Sequence, residues 1–235
     1  MRTSSQELCA WSRAHRTPLP LVAVVALTAL TGATCLPGQS LDKLRLYSAR
    51  AESANYRGNP AIHLTPEPGA PNAESFALVA GPGLRDGTIE ADLAGSPATG
   101  AGELARGFIG IAFRMAADTA KFELIYLRPT NGRADDQLRR NHSTQYVSFP
   151  DWPWQRTRKE TPGLYESYVD LEPGAWTKVR VDIAGAKARL FVNNAAQPCL
   201  IVNDLKLAPA AGGVALWVGP GTDGYFTNLK VTPQN

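Results

Sequence analysis

Short runs of alternating apolar and polar residues, broken by turn residues about every 8–12 positions, constrain this chain more than any other feature. In "TIEADLAG", Ile89, Ala91 and Leu93 share one face while Glu90 and Asp92 share the other, which is the period of a half-buried strand. "KFELIYLR" divides the same way, with Phe122, Leu124 and Tyr126 opposite Glu123 and Ile125. "FIGIAFRMA", "WTKVRVDIAG", "ARLFVNN", "CLIVNDL", "GGVALWVG" and "GYFTNLKV" supply further strands. The 21 glycines and 18 prolines fit the many turns such a chain needs. No stretch sustains a helical period and no segment repeats at fixed spacing, so the pattern predicts an all-β fold, an antiparallel two-sheet jelly-roll sandwich. Trp176 and Trp217 lie inside strand patterns and are assigned to its core.

Residues 1–33 read as a signal peptide. Arg2, Arg13 and Arg16 form a basic start, residues 19–33 an apolar stretch, and Thr31-Gly32-Ala33 a small-residue cleavage site. The apolar run, interrupted by Pro20 and threonines, is too short and mixed for a spanning helix. Residues 34–44 are expected to be a lead-in and residues 45–235 a single β-sandwich domain. The reading is a secreted or periplasmic protein with no stable membrane span after cleavage. Lipid anchoring through Cys35 is the alternative, against which Gly32 and Thr34 match a lipoprotein site poorly. Cleavage removes three arginines and Glu7, so the formal charge falls from +3 to +1, which argues against nucleic acid as partner. It leaves Cys35 and Cys199, a pair that an oxidising compartment permits to bond, and only His63 and His142, too few for a histidine-rich zinc site.

"GAWTKVRVDIAGAKARLFVNNAAQP" followed by "GGVALWVGPGTDGYFTNLKV" resembles the closing half of a concanavalin A-like jelly roll of the laminin-G-like kind. It is particularly similar to the 3-keto-disaccharide hydrolase-like domain, whose last strand carries the pattern seen here in "YFTNLKV". Asn193-Asn194 stands where Asn-Gly is usual, and asparagine also enters left-handed conformations. The resemblance implies a sandwich with a concave, sugar-associated face. It leaves activity open, because the fold hosts lectins, hydrolases and inert spacers. Calcium is a possible cofactor by the same resemblance, with Asp223 of "GPGTDGY" as the short candidate against a plain turn.

The densest polar passage is "LRPTNGRADDQLRRNHSTQY", residues 127–146. Arg128, Asn131, Arg133, Arg139, Arg140, Asn141 and Gln145 offer the paired donors and acceptors that bind adjacent sugar oxygens, and Arg114 on a neighbouring strand joins them. A helical turn over residues 134–141 would instead pair Asp135 with Arg139 and Asp136 with Arg140, giving a self-neutralised surface loop. "DWPWQ" predicts a rigid exposed loop whose Trp152 and Trp154 stack on pyranose faces or else cap the core. The leading function is carbohydrate recognition through this loop and aromatic platform. One alternative is a glycoside hydrolase or lyase with His142, Asp135, Asp136 and Glu123 in acid–base roles. The other is a structural or adhesion module without a ligand pocket.

Overall fold

Alternation of side chains decides which residues are buried, and the sandwich follows from it. The computed structural model describes residues 34–35, 41–69 and 74–234. The expected signal peptide, most of the lead-in and the Cys35 side chain lie outside the described residues. Among those described, the strands in chain order are β1 (Thr34–Cys35), β2 (Leu44–Tyr47), β3 (Ala49–Tyr56), β4 (Asn59–Pro66) and β5 (Ser75–Leu84). They continue with β6 (Gly87–Pro97), β7 (Ile109–Met115), β8 (Phe122–Leu127), β9 (Thr144–Phe149) and β10 (Glu166–Ser167). The series ends with β11 (Thr177–Ala184), β12 (Lys187–Val192), β13 (Leu200–Val202), β14 (Gly212–Val218) and β15 (Thr222–Pro233). Two short helices interrupt them, α1 (Gln137–Asn141) and α2 (Trp154–Glu160). All described residues fall in one compact unit, and β2 begins one residue ahead of the expected domain boundary.

The strands form two antiparallel sheets. The first has the order β13-β12-β11-β6-β15-β4-β3 with β1 added against β15, and the second β10-β9-β8-β7-β14-β5-β2. In β6, Ile89, Ala91 and Leu93 are buried, as their period predicts. The intervening Glu90 and Asp92 meet Lys230 at 3.3 Å and Lys178 at 3.0 Å on the outer face. The core between the sheets holds Ile62, Leu64, Ile89, Val181 and Phe226 from the first and Ile109, Ile111, Phe113, Ile125 and Leu216 from the second. Each such apolar side chain contributes about 1.5–3 kcal/mol by leaving water. After β12, Asn193 and Asn194 both take left-handed φ, 51° and 59°, so the asparagine pair does make the tight turn.

The second sheet departs from simple alternation. Every residue of β7 and β8 is buried, because its outer face carries a second apolar cluster that includes Phe76, Leu124, Tyr126, Val147 and Trp217. Trp217 therefore belongs to this outer face and not to the core between the sheets, and Trp176 is half-buried, edge-on to Tyr56 at 5.6 Å. α2 begins at Trp154, so only the last two residues of the span 151–155 expected to be a rigid loop are helical. No helix among the described residues is long and apolar enough to cross a membrane.

Glu123 and Arg114 are among the charged side chains buried in the described residues. Glu123 is fully buried on the core side of β8, accepting from Tyr146 Oη and the Leu207 amide, each at 2.8 Å. It ties the second sheet to the segment after β13. Arg114 sits where β7 and β14 shift register, with a φ of 50°. The extra residue of this bulge directs Arg114 to the carbonyls of Arg85 and Gly185 and to Asp86, bracing the β5–β6 and β11–β12 turns.

Removing the Glu123 carboxyl strands two donors away from water. Glu123→Ala is expected to cost about 2–4 kcal/mol, read from urea unfolding. Burial is the largest influence on Glu123 and raises its pKa, so the folded chain holds this proton to higher pH than the unfolded chain does. The contribution is complete below the ordinary carboxylate value of about 4.3 and declines as pH rises through the raised one. Glu123→Gln should flatten that decline in unfolding midpoints measured across the same range.

Candidate functional site

A glycine shapes the floor of the site. Gly110 on β7 lies in register with Tyr126 on β8 and with Trp217 on β14. A Cβ there would fall 2.4 Å from the Ile125 carbonyl and 2.5 Å from the Tyr126 Cβ. Without it the two rings lean together across the intervening strand, their centroids 5.1 Å apart. Phe108 meets Tyr126 edge-on at 6.2 Å. Trp217 Nε1 donates to Glu74 Oε2 at 2.7 Å, and burial raises the pKa of that carboxyl against the effect of this bond. A cavity of about 770 Å³ opens over this floor, walled by the segments at 102–108, 128–142 and 154–158. Leu138 and Trp154 stand exposed at its rim.

The polar wall is a network centred on two buried side chains, Arg128 and Glu166. Arg128 extends from the end of β8 and donates to Glu166 and the His142 carbonyl, both at 3.1 Å, to Tyr126 Oη at 2.8 Å and to Gln145 Oε1. Gln145 passes the network to Thr157 of α2 at 3.1 Å. Glu166, brought opposite Gln145 by β9–β10 pairing, also accepts from Arg158 at 3.2 Å and lies 3.5 Å from His142 Nε2. Burial is the main cause lowering the His142 pKa, Arg158 and Arg128 act in the same direction, and Glu166 opposes them. The imidazole is thus neutral near pH 7. Burial likewise pushes the Tyr126 hydroxyl up to about 12, so it stays a donor.

The loop expected to form the site divides between two surfaces. Arg128, Asn131, Asp136, Arg139, His142 and Trp154 line the cavity, and Gln145 supports it from behind. Asn131 Nδ2 holds the His142 carbonyl at 3.0 Å while its Oδ1 accepts from Arg139 at 2.9 Å. Asp136 caps α1 by accepting from the Arg139 amide at 2.7 Å. That cap and the short helix replace the expected Asp135–Arg139 and Asp136–Arg140 pairs: Arg140 turns to Tyr168 at 2.9 Å, and Asp135 is exposed outside the cavity. Arg133 pairs with Asp170 and Glu172 on the exposed surface, each at 2.9 Å, and Asn141 bonds Gln137 there. Trp152 lies outside the cavity beneath Arg156 and Lys206. Glu123 and Arg114 are separated from it as well, for the side-chain directions given above.

Sequence reasoning did not assign Arg106, Arg158, Glu166, Glu74, Tyr126 or Trp217 to the site. Alternation in "KFELIYLR" did put Tyr126 on one face with Phe122 and Leu124, without marking which side of the sheet that face takes. Nothing local marks Glu166, whose role comes from pairing with a strand about 20 residues away.

Two antiparallel sheets with a cavity on the outer face of one define a concanavalin A-like sandwich. The chain is similar to the solved structure of a protein of unknown function with galectin-like fold from Bacillus subtilis, at 11% identity and a TM-score of 0.51, covering 86% of this chain and 96% of that one. It is also similar to the VIP36 exoplasmic/lumenal domain in its metal-free form, at 10% identity and a TM-score of 0.51, covering 80% and 85%. At these identities the likeness is one of fold. No family model matches the chain and no curated protein matches it in sequence, so the likeness to the 3-keto-disaccharide hydrolase-like domain rests on the terminal strand pattern alone. Asp223, the short calcium candidate, faces His63 Nε2 at 3.4 Å, and no group of three or more His, Cys, Asp or Glu side chains that could hold a metal ion forms among the described residues. Cys199 is half-buried, desolvation raises its thiol pKa to about 11, and its pairing with Cys35 falls on a side chain outside the described residues.

Glu166 offsets two buried or half-buried guanidinium groups. Glu166→Gln should therefore cost about 3–5 kcal/mol in denaturant unfolding, since it leaves Arg128 and Arg158 facing one another. Glu172→Gln, which breaks an exposed pair, should cost under about 1 kcal/mol in the same assay.

Proposed function

We propose that this chain is an exported carbohydrate-recognising protein that binds a sugar or glycan in the cavity on the outer face of the second sheet. One observation carries the reading: aromatic faces and planar hydrogen-bonding groups converge on a single recess of about 770 Å³. Tyr126, Trp154, Trp217 and Phe108 present flat apolar surface, which suits the C–H faces of a pyranose ring. Arg139 lines the recess and is oriented by Asn131 and Thr130 before any ligand arrives, while Arg128 and Asn131 brace the wall behind it. A recess of this size favours a ligand over a structural module that lacks one. The basic, apolar and small-residue order of residues 1–33 supports export.

Hydrolysis by the expected acid–base set is the weaker reading. Glu123 points into the sandwich and Asp135 to the exterior, which leaves His142 and Asp136. Asp136 is engaged as a helix cap and His142 sits against Glu166. Both line the cavity, yet each already has a partner within the protein.

Glycan-array screening followed by calorimetry tests the binding reading. Trp154→Ala should weaken binding of the retained glycan about tenfold or more. Arg133→Ala, on the exposed pair outside the cavity, should leave affinity within about twofold. A protein that retains no glycan, or an Arg133→Ala loss equal to that of Trp154→Ala, overturns the assignment.

A further inference from the structure

The cationic side of the cavity is not balanced by the protein itself. Four arginines line it: Arg106, Arg128, Arg139 and Arg158. Glu166 answers Arg128 and Arg158. The two carboxyl groups that line the recess are otherwise engaged, Glu74 by Trp217 and Asp136 by the start of α1. Among the described residues, Arg106 and Arg139 form no ion pair with a carboxylate. Both are instead held by neutral acceptors. Arg139 donates to Asn131 Oδ1 at 2.9 Å and to Thr130 Oγ1 at 3.1 Å, and Arg106 donates to the carbonyls of Glu103 and Ala105.

Thr130 links the two. Its amide donates to the Arg106 carbonyl at 3.3 Å, and its own carbonyl and hydroxyl accept from Arg139. Loops 98–108 and 128–143 are thereby fastened together with a guanidinium on each. Desolvation lowers the Arg106 pKa, and the charges of Arg139 and Arg128 lower it further, so like charges face one another here. Arginine never loses its proton at neutral pH, and neutral acceptors fix its direction without cancelling its charge. Two oriented, unneutralised guanidinium groups beside an aromatic floor form a receptor for an anion carried on a ring.

We propose that the sugar bound here is anionic, and that its carboxylate or sulfate group is received between Arg106 and Arg139. This deepens the carbohydrate reading and rests on it. A carboxylate of a hexuronate unit would accept from both forks while its ring lies over Trp217 and Tyr126. A sulfate ester would use the same donors.

Calorimetry on the whole chain tests this with oligosaccharides of galacturonate, of mannuronate and guluronate, and of sulfated galactose. Each is titrated beside its carboxyl-reduced or desulfated counterpart. At least one acidic member should bind about tenfold tighter than its neutral counterpart. Arg106→Gln should abolish that preference while leaving affinity for the neutral counterpart unchanged, and Arg139→Gln should weaken the acidic member about tenfold more than its neutral counterpart, with near-ultraviolet circular dichroism confirming the fold. Preference for the carboxylated or for the sulfated member identifies which anion is received. Equal affinity within every pair overturns the anion inference but leaves sugar binding standing. A variant that weakens acidic and neutral members alike overturns it too. Absence of binding to every member, with Trp154→Ala without effect on any glycan, removes the carbohydrate reading and this inference with it.

Discussion

Burial of the second sheet on both of its faces is the constraint from which the site follows. One face must close the core against the first sheet, so Ile109, Ile111, Phe113 and Ile125 are apolar. The other face is also withdrawn from water, so Leu124, Tyr126, Val147 and Trp217 are apolar or aromatic as well. An outer face of this kind needs a cover. Neighbouring rings supply part of it, Phe122 on Phe149 at 4.9 Å and Tyr47 on Phe76 at 4.8 Å. The segments at 98–108 and 150–165 supply another part, and the uncovered remainder is the cavity. The recess is therefore a place where a buried sheet face is left unfinished, which is how apolar ligand sites commonly arise.

Charge follows from the same geometry. A loop crossing the edge of an apolar face cannot leave a guanidinium there without partners, because desolvating an unpaired charge costs several kcal/mol. Arg128 meets that demand fully, using Glu166, Tyr126, Gln145 and the His142 carbonyl. Its neighbours meet it in part. The polar wall is graded, from a neutralised base at Glu166 to cations held by neutral oxygens nearer the opening. Arginine suits both positions, since its planar fork is oriented by one edge while the other stays available.

The framework was legible in the sequence where one face is wet. β6 shows this, since Glu90 and Asp92 mark its outer side and Ile89, Ala91 and Leu93 its inner side. The left-handed asparagine turn after β12 was legible for a local reason, the tolerance of Asn for positive φ. Legibility fails where both faces are dry. In "GGVALWVG" alternation carries no polar marker, so Trp217 was placed on a strand but assigned to the core when it belongs to the outer face. The dense polar loop expected to form a site borders the recess with Arg128, Asp136 and Arg139, while its other charges, Arg133, Asp135 and Arg140, lie outside it. Whether Arg133 or Arg139 faces the recess depends on the short helix capped by Asp136. Arg114 and Glu123 were misplaced by different features, a bulge that redirects one side chain and an inward strand position that accommodates a bonded carboxyl.

The two chemical halves of the cavity stand on different footings. Its rings are rooted in the central strands β8 and β14, among the most thoroughly packed elements, and Gly110 fixes how closely they approach. Its cations are carried on loops, yet those loops are cross-braced by Thr130, Asn131, Gln145 and Glu166 to one another and to α2. What remains unbraced is the apolar rim, with Leu104 81% exposed and Leu138 68% exposed. A ring seated on the floor would draw these side chains out of water, and the recess would become drier as it filled. Lower local dielectric strengthens every contact between the arginines and a ligand oxygen. Apolar contact at the rim and polar contact at the wall would thus reinforce one another, although the residues that make them lie on separate loops.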